Sequence, residues 1–265
     1  MSMSDLDVNG GDLWYERSGQ GHPVIFLHAF AVTGATWSSQ VPVLTTAGYD
    51  VICVDLRGHG RSPAPPGPYT LPQMAADVHR LIERLKLGTV CVVGLSTGGR
   101  VATRLALDYP EDIAELVLVS TKSEPAIEIW HELRELSQIA EEGDVALAIE
   151  RWYDRHYQEL ADAAPGLVHT LKDGWRQGSG SGFAGVARAI TEMESVTTRI
   201  SEIRVPTLAV AGELDPACHP YVAWYERSIP SCQGVIVPAA HHFVNVEQPD
   251  RFNDLLLEFL AACER

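Results

Sequence analysis

The stretch Val90-Cys91-Val92-Val93-Gly94-Leu95-Ser96-Thr97-Gly98-Gly99 decides how this chain is read. Its first four residues are a continuous apolar run rich in β-branched side chains, the pattern of a strand covered on both faces. A Gly-x-Ser-x-Gly turn follows, and Thr97 to Tyr109 then suits a helix stopped by Pro110. A serine on so sharp a strand-to-helix turn has strained backbone angles, so its neighbours two positions away must be small. Strand, turn and helix in that order present a hydroxyl at the end of a sheet, as a nucleophile requires.

Working outward, Val24 to Leu27, Val51 to Val54 and Leu116 to Val119 are further runs of the same kind. Between the second of them and Val90, the stripe Met74, Val78, Leu81, Ile82, Leu85 marks an amphipathic helix. Thr70 with Gln73 and Pro72 signals its start, and Gly88 its end. Strands alternating with helices imply a mostly parallel twisted sheet with right-handed crossovers and helices on both faces, an α/β fold. Asn9-Gly10-Gly11 reads as a hairpin turn leading into a strand from Asp12 to Arg17. From Ser123 to Ile200 only helical stripes appear, such as Ile129, Trp130, Leu133, Leu136, Ala140. The alternation resumes with strand-like Thr207 to Ala211 and Val235 to Val237, separated by a helical Tyr221 to Arg227, and ends in a helix over Asp250 to Ala262. The expected organisation is a core of residues 1–122 and 201–265 interrupted by an all-helical cap, 123–200, with Gly178 to Gly182 as a flexible linker inside it.

The 265 residues carry 20 basic and 35 acidic side chains, a net charge of −15 that repels nucleic acid and anionic membranes. Cys53, Cys91, Cys218, Cys232 and Cys263 form no paired motif and read as reduced residues. The acidic N-terminus is unlike a signal peptide and no run has the length of a membrane span, which points to the cytoplasm. No metal-ligand spacing is present, so neither a metal nor another cofactor is expected.

A serine hydroxyl needs a histidine base, and the base needs a carboxylate to fix its tautomer. Asp215 lies just past the strand Thr207 to Ala211, and His242 follows the next one, giving the chain order Ser96, Asp215, His242. Asp215 also reads as a helix cap near Pro216; Glu213 is less well placed, and Glu124 is the alternative acid.

These features together resemble the α/β-hydrolase superfamily, in the branch with a helical cap. The resemblance covers nearly the whole chain and rests on ordered segments: His28-Ala29-Phe30, Asp55-Leu56-Arg57-Gly58-His59-Gly60-Arg61-Ser62, the serine turn, Gly212-Glu213-Leu214-Asp215, and His242 with Glu247 and Pro249. It implies that His242 is the base, with an imidazole titration near about 6 to 7, and that the adjacent His241 is a turn residue facing solvent or the pocket rim. It also implies backbone N–H donors at Phe30 and Thr97 for the tetrahedral oxyanion, and loop-holding roles for His28 and His59. Ala29 stands where the family more often has Gly, so the loop must reach its shape there with ordinary backbone angles.

Trp130, Trp152, Tyr153, Tyr157 and Trp175 in the cap are either lid core or apolar surface for an acyl group, and His28, Trp130, Trp152 and Trp175 are the expected pocket residues. Arg134, Arg151, Arg155, Lys172 and Arg176 read either as a solvated face or as the source of one cation for a substrate carboxylate. The resemblance is to enol-lactonases, esterases and perhydrolase-like members, which implies hydrolysis of a small carboxylic ester or lactone through an acyl-enzyme. The same residues would also serve carbon–carbon bond hydrolysis in a diketone, or a slow-turnover ligand-binding or sensor protein.

Overall fold

The computed structural model describes residues 2–3, 6–8, 11–65, 67–175 and 179–263. Its strands in chain order are β1 (Ser2–Met3), β2 (Leu6–Val8), β3 (Gly11–Leu13), β4 (Tyr15–Gly19), β5 (Pro23–Leu27), β6 (Asp50–Val54), β7 (Val90–Leu95), β8 (Ile113–Val119), β9 (Thr207–Gly212) and β10 (Cys232–Val237). Eight of them form one sheet in the order β1-β4-β6-β5-β7-β8-β9-β10, with β2 and β3 in a separate pair. From β6 to β10 neighbouring strands run parallel, while β1 and β4 are antiparallel additions at one edge. Strands β5 to β7 are fully buried, in keeping with their uninterrupted apolar runs.

The helices are α1 (Val41–Thr46), α2 (Leu71–Leu85), α3 (Thr97–Asp108), α4 (Trp130–Glu141), α5 (Val145–His156), α6 (Gln158–Ala163), α7 (Pro165–Trp175), α8 (Gly180–Thr191), α9 (His219–Ser228), α10 (Val244–Glu247) and α11 (Pro249–Cys263). The α2 stripe faces the core, and the Thr70 hydroxyl accepts from the Gln73 N–H. The left-handed turn that ends α2 begins at Lys86, two residues before the glycine expected to provide it. Among the described residues between β8 and β9 there is no strand. None of the described helices is long and apolar enough to cross a membrane.

Two expectations need correction. The strand expected over Asp12 to Arg17 is two strands, β3 and β4, because the Trp14 backbone leaves the ladder to bond Ser62 Oγ (2.8 Å) and the Asp55 N–H (3.0 Å). Of the hairpin turn before it, Asn9 and Gly10 lie outside the described residues, although β2 and β3 pair antiparallel on either side. The glycines expected as a linker open a helix instead. Ser179 caps α8, and a Cβ on Gly180 would stand 1.9 Å from Ala140 O while one on Gly182 would stand 2.7 Å from Gly58 O. They are small so that α8 packs against α4 and the Gly58 loop; Gly178 lies outside the described residues.

The chain runs from β5 to β6 on one side, then returns across β5 to β7 on the other. Strand order reverses between β5 and β7, which opens a crevice outside their carboxyl ends. The loop of His28 to Phe30 leaves β5 there, and Ser96 leaves β7 beside it.

Candidate active site

Ser96 has φ 52° and ψ −108°, a left-handed conformation unusual for a residue with a Cβ. It is held by bonds on both sides: its N–H donates to Val119 O (2.9 Å) and its carbonyl accepts from Thr121 Oγ1 (2.7 Å). The small neighbours are required by close approach. A Cβ on Gly98 would lie 2.2 Å from Leu27 O, and one on Gly94 would lie 2.4 Å from Gly98 O. Packing against β5 and β8 therefore enforces the strained turn that the motif signalled.

Asp215 follows β9 and is 5% exposed; its Oδ2 lies 2.8 Å from His242 Nδ1, and its Oδ1 accepts from the Ala217 and Cys218 backbone N–H groups (3.1 Å each). Burial opposes its charge, but the His242 bond and these donors prevail and bring its pKa down to about 2. Burial likewise opposes an imidazolium at His242, yet the hydrogen bonds to Asp215 and Cys218 shift its pKa upward, above the ordinary range expected from the sequence. Glu247 distinguishes the adjacent histidines. Its Oε2 accepts from His241 N (2.8 Å) and lies 2.9 Å from His241 Nδ1, while its Oε1 accepts from Phe243 N (2.9 Å). The loop is clamped on both sides of His242, and His241 is turned away from Asp215. Glu124, the alternative acid, bonds Tyr221 Oη instead.

Phe30 lines the same cavity as Ser96, and no acceptor engages its N–H among the described residues; Thr97 is the first residue of α3, so its N–H has no intrahelical acceptor. Ala29 keeps ordinary backbone angles, and the left-handed residue is Ala31, at φ 59°. Two tyrosines at the end of α5 anchor this loop: Tyr157 Oη donates to Phe30 O (2.6 Å) and Tyr153 Oη to Ala31 O (2.8 Å). Composition showed these two residues only as lid aromatics, and nothing local in the sequence pairs them with a loop more than a hundred residues away. His28 donates from Nδ1 to Ala29 O (2.7 Å) and accepts at Nε2 from Leu56 N (2.9 Å), and His59 Nε2 accepts from Ala31 N (3.2 Å). Burial lowers the pKa of both histidines, so they act as neutral struts.

Ser96, Asp215, His242, Phe30 and Thr97 all line one cavity of about 260 Å³. Of the expected pocket residues only Trp152 joins them. His28 is buried beneath the loop it holds. Trp130 lines a different cavity, between α4 and α8, with the Arg134 guanidinium over its ring at 5.3 Å. Trp175 is core, 1% exposed and packed edge-on to His59 and Phe183. The cap cations Arg151, Arg155 and Lys172 pair with Glu135, Glu132 and Glu150, and Arg176 lies outside the described residues. The cations at the cavity are Arg100 and Lys122, which no motif marked. Donor atoms of Asp215, Cys218 and His242 lie within 4.8 Å of one another, a cluster of metal-binding types that sequence spacing did not foretell; the carboxylate is already engaged by the imidazole and two backbone N–H groups.

Comparison with known proteins agrees with this architecture. The chain is 30% identical over 236 residues to 3-oxoadipate enol-lactonase 2 of Acinetobacter baylyi, covering 87% of this chain and 85% of that one. The enol-lactonase of Burkholderia xenovorans superposes with a TM-score of 0.85 at 25% identity, covering 96% of this chain and 98% of that one. A thermophilic esterase of Thermogutta terrifontis superposes with a TM-score of 0.83 at 27% identity, covering 100% and 99%. A model of the alpha/beta hydrolase fold matches residues 22–249, and the chain belongs to that family.

Proposed function

We propose that this protein is a serine hydrolase of small carboxylic esters or lactones, working through an acyl-enzyme. The observation that carries the reading is the His242–Asp215 contact of 2.8 Å opening on the same cavity as the strained Ser96. In this scheme Asp215 keeps the proton of His242 on Nδ1, leaving Nε2 to take the Ser96 hydroxyl proton as the oxygen attacks the carbonyl carbon. The Phe30 and Thr97 N–H groups receive the oxyanion, and the His242 proton passes to the leaving alkoxide. Water then enters by the same route in reverse, and the acid is released. Residues 123–200 serve as the cap: α5 contributes Trp152 to the cavity wall, and Tyr153 and Tyr157 hold the oxyanion loop in shape. A cavity of about 260 Å³ under these helices suits a compact substrate. The relatives that act on an enol-lactone or an ester support the same chemistry.

The test is a fluorophosphonate adduct mapped by mass spectrometry together with turnover of short-chain p-nitrophenyl esters and lactones. Labelling should fall on Ser96 and vanish in Ser96→Ala, with turnover reduced roughly 10⁶-fold. Labelling of another serine, or unlabelled protein with no turnover of any ester or lactone, refutes the reading.

A further inference from the structure

The cavity beside Ser96 contains polar groups that the protein leaves unsatisfied. Arg100 lies one turn along α3 from Ser96, is 7% exposed, and lines both this cavity and a neighbouring one of about 510 Å³. Its Nη1 donates to Glu124 O (2.6 Å) and Ile190 O (3.3 Å) and lies 3.1 Å from Met193 Sδ. None of these partners is an anion, and among the described residues no carboxylate stands within ion-pair distance of the guanidinium. Two other polar side chains of the wall have partners: Lys122 pairs with Glu128, and His156 Nε2 lies 2.9 Å from Glu132 Oε2. The Glu128 carboxylate acts on Arg100 only from beyond ion-pair distance; a guanidinium taken out of water without a directly paired counter-ion is costly, and carbonyl dipoles on one nitrogen offset only part of the loss.

A second observation is independent of the first. Ser120 immediately follows β8 as Ser96 immediately follows the adjacent β7, and it also has a left-handed backbone, at φ 42°. It is 1% exposed, its Oγ has no hydrogen-bond partner among the described residues, and it lines the same cavity. Buried hydroxyls without partners are uncommon, and strained non-glycine residues collect where ligands bind. A ligand in the cavity with its own negative charge and acceptor oxygens would satisfy both groups.

We propose that the substrate carries a carboxylate a few carbons from the scissile carbonyl, held by the Arg100 guanidinium with the Ser120 hydroxyl as a further donor. This rests on the ester or lactone reading and narrows it to half-esters of short dicarboxylic acids and lactones bearing an acid group. The cation comes from the helix that begins at the nucleophile, and its guanidinium is held by the carbonyls of Glu124 and Ile190, so packed backbone fixes the anion relative to Ser96. The cap cations paired on the surface take no part.

The experiment compares methyl hydrogen glutarate with methyl valerate, which match in acyl length and differ in charge. The charged ester should be favoured on the order of 10- to 100-fold in kcat/KM, mostly through KM, as loss of a charge-assisted hydrogen bond implies. In Arg100→Met that ratio should collapse towards one, and Arg100→Lys should keep part of it. Ser120→Ala should lower it by a smaller factor. Because Arg100 is buried and its replacement can unfold the chain, wild-type protein is also tested with glutarate and glutaramide as inhibitors of neutral-ester turnover. Competitive inhibition by the diacid alone is expected; equal inhibition, or a non-competitive pattern, overturns the proposal. Equal use of the two esters, or a preference that survives Arg100→Met, overturns it as well. Calorimetry of Ser96→Ala with glutarate and its diamide separates the two readings. If no ester is turned over but glutarate binds and the diamide does not, the ester reading fails and the anion site stands.

Discussion

Replacing Asp215 by Asn tests the electrostatics of the site most directly, because the shape is retained while the charge beside His242 is removed. At 2.8 Å the attraction between the carboxylate and an imidazolium is about 1.5 kcal/mol in a water-like dielectric and about 6 kcal/mol at an effective dielectric of 20. That corresponds to roughly one to four pKa units in favour of the imidazolium, against which burial acts. The net direction at His242 is upward, so in the wild type the neutral base is lost as pH falls through a value above the ordinary imidazole range. In Asp215→Asn only the Cys218 contact continues to favour the charged form, and the acid limb of kcat/KM should move to lower pH. The plateau should meanwhile fall by about 10⁴-fold, because the imidazole loses the partner that sets its tautomer. The assay is initial-rate hydrolysis of a neutral short-chain ester across both limbs, with thermal melting to confirm that the variant is folded. An acid limb that stays in place in Asp215→Asn, or a wild-type limb below the ordinary imidazole value, would refute the argument.

Other outcomes follow from the same geometry. His242→Ala should lose turnover by roughly 10⁶-fold; His241→Ala gives up only a partly exposed bond to Glu247, should cost under about 1 kcal/mol, and should keep most of the activity, as rate and denaturation measurements will show. Asp215 titrates at about 2 in the folded chain, so its contribution of about 2 kcal/mol is present above its ordinary pKa and is lost as pH falls towards about 2. Urea titrations of wild type and Asp215→Asn should therefore converge in that acidic window. Trp152→Ala should reorder kcat/KM among acyl chains, whereas Trp175→Ala should cost about 3–5 kcal/mol of stability through lost core packing and Trp130→Ala should do neither. Gly98→Ala places a Cβ 2.2 Å from Leu27 O and should destabilise the fold by about 1–3 kcal/mol while displacing Ser96, read as a lowered melting temperature together with lost turnover.

The residues alone determined the α/β alternation, because fully buried parallel strands must be continuous apolar runs and their connecting helices must carry one apolar stripe. The serine turn was legible for a similar reason: the strained conformation at Ser96 and the close approach of β5 admit only small neighbours, which leaves a local pattern in the chain. Chain order then nominated Asp215, with Glu124 as the alternative, and the family resemblance, through its spacing to Glu247, favoured His242 over His241, although the carboxylate that clamps the loop on both sides of His242 appears only in three dimensions. The same holds for the cavity wall. Trp130, Trp152 and Trp175 are alike in composition, yet the packing of the cap sends one to the cavity, one to a groove and one to the core. Arg100 and Ser120 lie on core elements whose pattern shows burial but not what their polar atoms lack, and the glycines before α8 look like a linker until Ala140 and Gly58 are seen against them. Periodicity records which face of an element is covered, whereas partners distant in the chain are chosen by how those faces meet, and that is decided only when the whole sheet and its helices are assembled.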